Sequence, residues 1–501
     1  GLWGMGKGCA FALGALVGWC AVSCSLASLG AWNGTGAETI SGRGLRRHLA
    51  EGSHKPFAQR SAEGRQALAA AVSQITALYD STEEAMTRDV TWFDKSGGHH
   101  DRQLVHRMLR SIVLSEPFVV AVGGMSDTAG HGNLAKESYP MQMLAALKGP
   151  FAAAGVDLVV RNLAMGGVPS FPNSVCFEDA FGSDVDLVVW DFRMVEHDDV
   201  KGELYIRQAL MMPKQPVIMF KRNLGYLKNL AEKYGAMASL HAIDEMPLYN
   251  ALHTTSPALS HDKFCETSCS CPGQVRWHAG WKMQRLRGLQ MAMVYGKMFR
   301  KALDQLDALL SSHEDPRTAQ DWTLSPKPLP SARSPHLKPQ FADHTYHCGL
   351  TWSPHVGRNL TSLVDRSQQA KGGTNWAVRD PNARVSGPGK RCGYLDDKAQ
   401  MEGTVDTGWV WFLLPQTEEA GVVGFCADFP KNKRVQDVPV LIMLNGEEVQ
   451  RDMNFWLDAR TLGVSIQCYA TSKNVLVGEN SLGFRVMEAG TTFKLTHVLW
   501  R

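Results

Sequence analysis

A serine on a glycine turn and a histidine just ahead of a long helix, Ser126 and His278, are the residue types that together transfer acyl groups: one attacks, the other takes its proton. Ser126 lies in FVVAVGGMSDTAGHGN, Phe118 to Asn133, where an apolar β-branched run meets Gly123 and Gly124 and helical periodicity resumes only after Tyr139. The pattern reads as strand, tight turn, helix. A serine there points into the crevice at the C-terminal ends of parallel strands, where open α/β sheets bind ligands. His278, in RWHAGWKMQRLRG, enters the same crevice from a loop before the closing helix.

The elements that must position these two follow an alternating pattern. Strands are expected at Phe118 to Val122, Val156 to Val160, Val185 to Trp190, Pro216 to Phe220 and Ala238 to Ile243. Helical stretches separate them at Tyr139 to Ala154, Glu203 to Met212 and Leu224 to Tyr234, and Trp281 to Leu310 closes the series. Short apolar strands between helices imply βαβ units and a parallel sheet covered on both faces. Further helices at Ala67 to Tyr79 and Leu104 to Ile112 precede it. Six prolines between Glu314 and Pro339 mark a semi-extended linker. Beyond it, runs such as Trp409 to Leu414, Val440 to Leu444 and Phe493 to Leu499, with an Asn445-Gly446 hairpin signal, read as an antiparallel β-sandwich.

The 501 residues carry 52 Lys and Arg against 49 Asp and Glu, a net charge of +3 without a dense basic block, so nucleic acid is not an expected partner. From Gly8 to Gly36 no residue is charged, and the segment is long enough to span a bilayer as a signal-anchor; a cleaved signal peptide explains the same residues. Of the 11 cysteines, Cys9, Cys20 and Cys24 fall in this segment. Those beyond it, Cys176, Cys265, Cys269, Cys271, Cys348, Cys392, Cys426 and Cys468, form an even set. With sequons at Asn33 and Asn359 they point to an oxidising lumen or exterior. Cys265, Cys269 and Cys271 read as disulfide partners in preference to a zinc site. The sandwich is expected to be stapled by pairs among Cys348, Cys392, Cys426 and Cys468. Glu196, His197, Asp198 and Asp199 read as a solvated loop in preference to a metal site.

Three stretches carry a resemblance. Ser126 in a Gly-x-Ser turn, Asn162-Leu-Ala-Met-Gly-Gly after the second strand and His278-Ala-Gly-Trp before the last helix resemble the first, second and last sequence blocks of the SGNH (GDSL-like) hydrolases, over about Phe118 to Phe299. The resemblance implies a flavodoxin-like three-layer αβα domain, here followed by the antiparallel sandwich. It implies Ser126 as nucleophile, His278 as base, and an oxyanion hole from the N–H groups of Ser126 and Gly167, with Gly166 as the alternative. No cofactor and no metal are implied. The chain departs from the family twice. Val195 falls near the position of an oxyanion-binding asparagine, leaving Arg193 or Asn133 as substitute donors to substrate, and Val275 stands where the family has an acid three residues before the histidine. Asp191, Glu245 and Asp262 are the open candidates to orient His278, and a dyad without an acid is the alternative.

The expected organisation is therefore a signal-anchor or signal peptide over 1–36, a stem over 37–62, the αβα domain over 63–312, the Pro-rich linker over 313–342 and the sandwich over 343–501. The expected activity is deacylation of a polar ester or acylated glycan in the secretory pathway or at the cell surface. An O-acyltransferase with the same serine and histidine, or a glycan-binding protein that has lost turnover, are the alternatives.

Overall fold

Residues of one central strand alternate between two cores. In the computed structural model, Val119 and Ala121 join an apolar cluster on one face of a mixed sheet, while Phe118, Val120 and Val122 join a separate cluster on the other. A strand buried on both faces must be apolar throughout, which is why the Phe118 run lacks polar alternation. The described residues are 55–93, 101–196, 199–222, 225, 227–259, 278–312, 315–367, 375–379, 398–417, 420–428, 438–461 and 464–501. The apolar segment 8–36, the sequon at Asn33, and Cys265, Cys269, Cys271, Cys392, His197, Asp198, Asp262 and Val275 lie outside them. Among the described residues no helix is long and apolar enough to cross a membrane.

The mixed sheet comprises β1 (Val90–Trp92), β2 (Phe118–Gly124), β3 (Leu158–Asn162), β4 (Leu187–Asp191), β5 (Val217–Lys221) and β6 (His241–Ile243), in the order β1-β6-β5-β4-β2-β3. All neighbours from β3 to β6 run parallel, and β1 closes the edge antiparallel to β6. This edge strand is three residues long and half-buried, too short to show a period in the sequence.

Helices α1 (Phe57–Tyr79), α2 (Glu83–Thr87), α3 (Arg102–Leu114), α4 (Ser126–Ala129), α5 (Tyr139–Ala153), α6 (Phe177–Phe181), α7 (Asp199–Met211), α8 (Leu227–Ala238), α9 (Met246–Leu252) and α10 (Trp281–Ser311) connect and cover the strands. One face carries α1, α3, α5 and α10; the other carries α6, α7 and α8. The helix α1 reaches ten residues further toward the N-terminus than its apolar period suggests and takes in part of the expected stem. Arg60 explains the extension: its guanidinium is buried and donates to the carbonyl oxygens of Ala154 at 2.8 Å and Ile112 at 2.6 Å.

The C-terminal strands form two sheets around a third core that contains Phe412, Phe425, Phe484 and Phe493. One sheet runs β15 (Arg451–Thr461), β16 (Val464–Val475), β12 (Gly421–Asp428), β18 (Phe493–Trp500), β10 (Gln400–Gly403), β9 (Ala377–Arg379), with β7 (His347–Leu350) also paired to β18 and β8 (Arg358–Asn359) parallel to β7. The other runs β11 (Trp409–Thr417), β17 (Gly478–Val486), β13 (Val440–Leu444), β14 (Glu447–Val449). Asn445 and Gly446 turn β13 into β14 with φ of 54° and 82°, the left-handed pair a two-residue hairpin requires.

The Pro-rich stretch does not separate two cores. Trp322 is buried in the helix-side cluster, while Leu337, Phe341 and Ala342, the last two on α11 (Pro339–Ala342), enter the cluster on the opposite face of the sheet. That cluster continues into Tyr346, Leu350, Trp352 and Leu499, so one apolar core spans the mixed sheet and the sandwich. Polar contacts fix the same strap: Arg207 Nε donates to Ala342 O at 2.8 Å, and Gln208 Nε2 donates to Phe341 O at 2.6 Å. Cys348 is a further correction. It is bonded to Cys176 of the αβα part, not to a sandwich cysteine, and its N–H donates to the Asp179 carboxylate at 2.6 Å. Cys426 and Cys468, directly opposite on β12 and β16, form the bond inside the sandwich.

Candidate active site

The turn after β2 is shaped by a close approach. A Cβ on Gly124 would overlap the Thr128 side chain, so only glycine lets the chain leave the strand as tightly as it does. Met125 is then extended, Ser126 begins the single turn of α4, and Gly130 at φ 83° ends it. At the end of β3, Leu163 N–H donates to Val122 O at 2.9 Å and Met165 N–H to Gly124 O at 3.0 Å. These bonds hold Gly166 and Gly167 beside the serine turn, Gly167 in the left-handed region at φ 69°.

His278 arrives from the loop ahead of α10, and its Nε2 lies 2.8 Å from Ser126 Oγ. Asn133 Nδ2 donates to Ala279 O at 2.9 Å and to His131 O at 3.3 Å. Asp127 Oδ1 accepts from Ala279 N–H at 3.0 Å, and Asp127 O accepts from Gln284 Nε2 at 2.7 Å. Arg287 of α10 forms an ion pair with the same Asp127 carboxylate. The residue after the histidine is thus tied through both its N–H and its carbonyl to the turn that carries the serine. Asn133 is 1% exposed and its Nδ2 donates to two carbonyls, so its amide N–H groups tie the histidine loop to the serine turn.

Asp127 is not among the acids the sequence offers to orient His278, which are Asp191, Glu245 and Asp262. The only local signal was a carboxylate adjacent to Ser126; Gln284 and Arg287, three residues apart on one helix face, meet it only in the fold. Asp191 and Glu245 serve other partners. The Asp191 carboxylate accepts from Thr128 Oγ1 at 2.7 Å and Tyr139 Oη at 2.9 Å. Glu245 lies 3.0 Å from both Lys221 Nζ and Arg222 Nη2 and 3.2 Å from Arg287 Nε, and these cations hold its carboxyl well below the usual range. Asp262 lies outside the described residues.

Burial pushes the His278 imidazole down to about 4; the nearby His131 ring, edge-on with centroids 5.6 Å apart, acts in the same direction and Asp127 opposes it. Above that value the imidazole is neutral, and Nε2, 2.8 Å from Ser126 Oγ, is placed to take up its proton. A cavity of about 220 Å³ borders the serine turn, lined by Met125, Asp127, Arg193, Lys221, Arg222 and Arg287 among others. Arg193 is half-buried at its edge. Val195 packs against the core on the sandwich side of the sheet. Glu196 is not solvated as expected: it is buried, and its carboxylate accepts from Ser170 N–H at 2.8 Å and Ser170 Oγ at 2.7 Å. Among the described residues no group of three His, Cys, Asp or Glu side chains could hold a metal ion.

No protein-family profile and no curated protein matches this chain. Among solved structures it is similar to a two-domain esterase (CEX) active on acetylated mannans, with a TM-score of 0.38 and 14% identity over 82% of this chain and 96% of that one. The same esterase co-crystallised with mannopentaose matches with a TM-score of 0.38 and 13% identity over the same shares.

Proposed function

We propose that the chain is a serine esterase of SGNH type that removes acetyl or similar small acyl groups from a polar alcohol, most simply a glycan hydroxyl. The observation that carries this reading is the 2.8 Å approach of His278 Nε2 to Ser126 Oγ at the C-terminal end of β2. The parallel strands, taken in chain order, stand 2-1-3-4-5 across the sheet, the flavodoxin-like order whose switch point lies beside the first strand.

Ser126 Oγ attacks the ester carbonyl carbon as its proton passes to His278 Nε2, and the oxyanion is received by the N–H groups of Ser126 and Gly167. Collapse expels the alcohol with the proton from the imidazolium and leaves an acyl-serine. Water, losing a proton to the again neutral His278, attacks that ester, and the imidazolium returns the proton to Ser126 Oγ as the acid leaves. Asp127 acts through position: it holds the Ala279 N–H and, by its charge, offsets part of the desolvation of the imidazole. The bonds Cys176–Cys348 and Cys426–Cys468 favour an extracellular or secretory setting, and the apolar segment 8–36 supplies a signal-anchor or signal peptide for reaching it.

Labelling by a fluorophosphonate serine probe tests the site. Labelling in the parent that is lost in Ser126→Ala and in His278→Ala is the expected result; an unlabelled but folded parent overturns it. Acetate release from an acetylated glycan without a sugar acceptor distinguishes hydrolysis from acyl transfer. One observation favours a second reading, a glycan-binding protein without turnover: Val195 has no donor to offer where the family has asparagine, and a lost donor costs roughly 100- to 1000-fold in rate.

A further inference from the structure

A second cavity, of about 600 Å³, opens at the opposite edge of the mixed sheet. Its walls include Lys214 and Gln215, just before β5, and Ser239, just before β6, so it lies at the N-terminal ends of the strands, away from Ser126. The rest comes from Pro213, from Met237 on α8, from α3 and from residues 323–327 of the Pro-rich strap.

The charge on these walls has one sign. Arg102, Arg107, Lys214 and Lys327 line the cavity with His106, and none of the described lining residues is Asp or Glu. Lys214 is neutralised, its Nζ 3.0 Å from Asp186, a buried carboxylate beneath the wall. Asp321, nearby in sequence, is exposed, and its Oδ1 accepts from Thr323 N–H at 2.8 Å. Arg102 and Lys327 are exposed and have no carboxylate partner among the described residues. Arg107 is only 6% exposed; its Nη2 donates to the backbone oxygens of Lys214 and Gln215, while its Nη1 finds no hydrogen-bond partner among the described residues. A guanidinium this buried with half its fork unused is costly unless something else receives it. The field at the site is felt by His106, which burial and then the charges of Arg107, Arg110 and Arg102 hold below its usual value.

The strap is fixed against the cavity floor. Gln215 Nε2 donates to Lys327 O at 2.8 Å and Lys327 N–H to Gln215 Oε1 at 2.9 Å, while Trp322 stacks on His106 with centroids 5.4 Å apart. The Arg107 guanidinium and the backbone that carries Lys327 are held in place without a ligand, which lowers the ordering cost of binding.

We propose that this cavity binds a ligand bearing at least two spaced oxyanion groups, a sulfated, phosphorylated or carboxylated sugar unit, at a site separate from the Ser126 crevice. The volume exceeds what a single inorganic anion fills, and cations without a carboxylate partner among the described residues reach it from two different elements, Arg102 on α3 and Lys327 on the strap. Arginine and lysine in this arrangement are the ordinary receptors of such groups.

Calorimetric titration of the full chain at low ionic strength with inorganic pyrophosphate, a sulfated disaccharide and digalacturonate tests the proposal. Saturable binding of at least one is expected, weakened by added salt and by about tenfold or more in the double variant Arg102→Gln, Lys327→Gln. Both positions are exposed, and an unchanged thermal midpoint verifies the fold. The anion preferred identifies the phosphate, sulfate or carboxylate source. Absence of saturable binding for all three, or equal binding by the double variant, overturns the proposal. The assay needs no turnover at Ser126, so its outcome is independent of the esterase reading.

Discussion

In the proposed reaction His278 is the base, burial sets its proton affinity, and its pH behaviour follows directly. The neutral form is needed to accept the serine proton, so kcat/KM on an acetyl ester should be flat through neutral pH and fall by half near pH 4 on the acid side. A midpoint near the unperturbed histidine value of about 6.5 would mean that water reaches the ring. Asn133→Ala removes the bond to Ala279 O and frees the loop. We expect kcat to fall by about 10- to 100-fold with KM little changed, since a displacement of the base on the scale of an ångström suffices for that. A fall in KM-dependent binding alone would return Asn133 to the substrate wall. At this scale Ser126 and His278 were legible, because a glycine turn after an apolar run and a histidine before a helix are local patterns. Asp127 was not, because its partners Ala279, Gln284 and Arg287 are distant in sequence and only the closed fold brings them to it.

Elements were legible where they carry a period. The five parallel strands fall within three residues of where the apolar runs put them at every start, and the long helix α10 within one residue at its end. The strap was not, because prolines in a polar background look alike whether the few apolar residues among them, Trp322, Leu337 and Phe341, meet water or a core. Its packing makes a prediction. A chain ended before Asp343 would leave Leu337, Phe341 and the face of α6 and α7 without Tyr346, Cys348, Leu350 and Trp352, so it should aggregate or unfold, as static light scattering would show. A soluble, cooperatively melting fragment would show two independent cores instead. The Cys176–Cys348 bond closes a loop with a sequence separation of 172, and chain entropy assigns such a link roughly 2–5 kcal/mol. Cys348→Ser should lower the urea midpoint accordingly, and an unchanged midpoint would show that packing alone holds the two parts.

For the molecule as a whole, acid is the weak side. His241, stacked on Trp92 and near Tyr295, and His497, whose Nε2 is 3.2 Å from Asn173 Oδ1, are fully buried and pushed down to about 4 and about 3. The unfolded chain takes up a proton at each near the ordinary value of about 6.5, so stability is constant above that pH and declines as pH falls below it. Each histidine contributes a slope of ~1.4 kcal/mol per pH unit down to its folded value. Urea midpoints should therefore drop between pH 7 and pH 5; equal midpoints would place these rings in water. The pairing of β18 bears on something different, the order in which the protein is made. This strand is the last in the described chain, yet it lies between β12 and β10, pairs with β7, and carries the histidine that meets Asn173. While the ribosome is still adding residues 493–500, the sheet has an unfilled lane through its middle. The nascent chain must therefore stay in an incomplete state until residues 493–500 have been added and have left the ribosome.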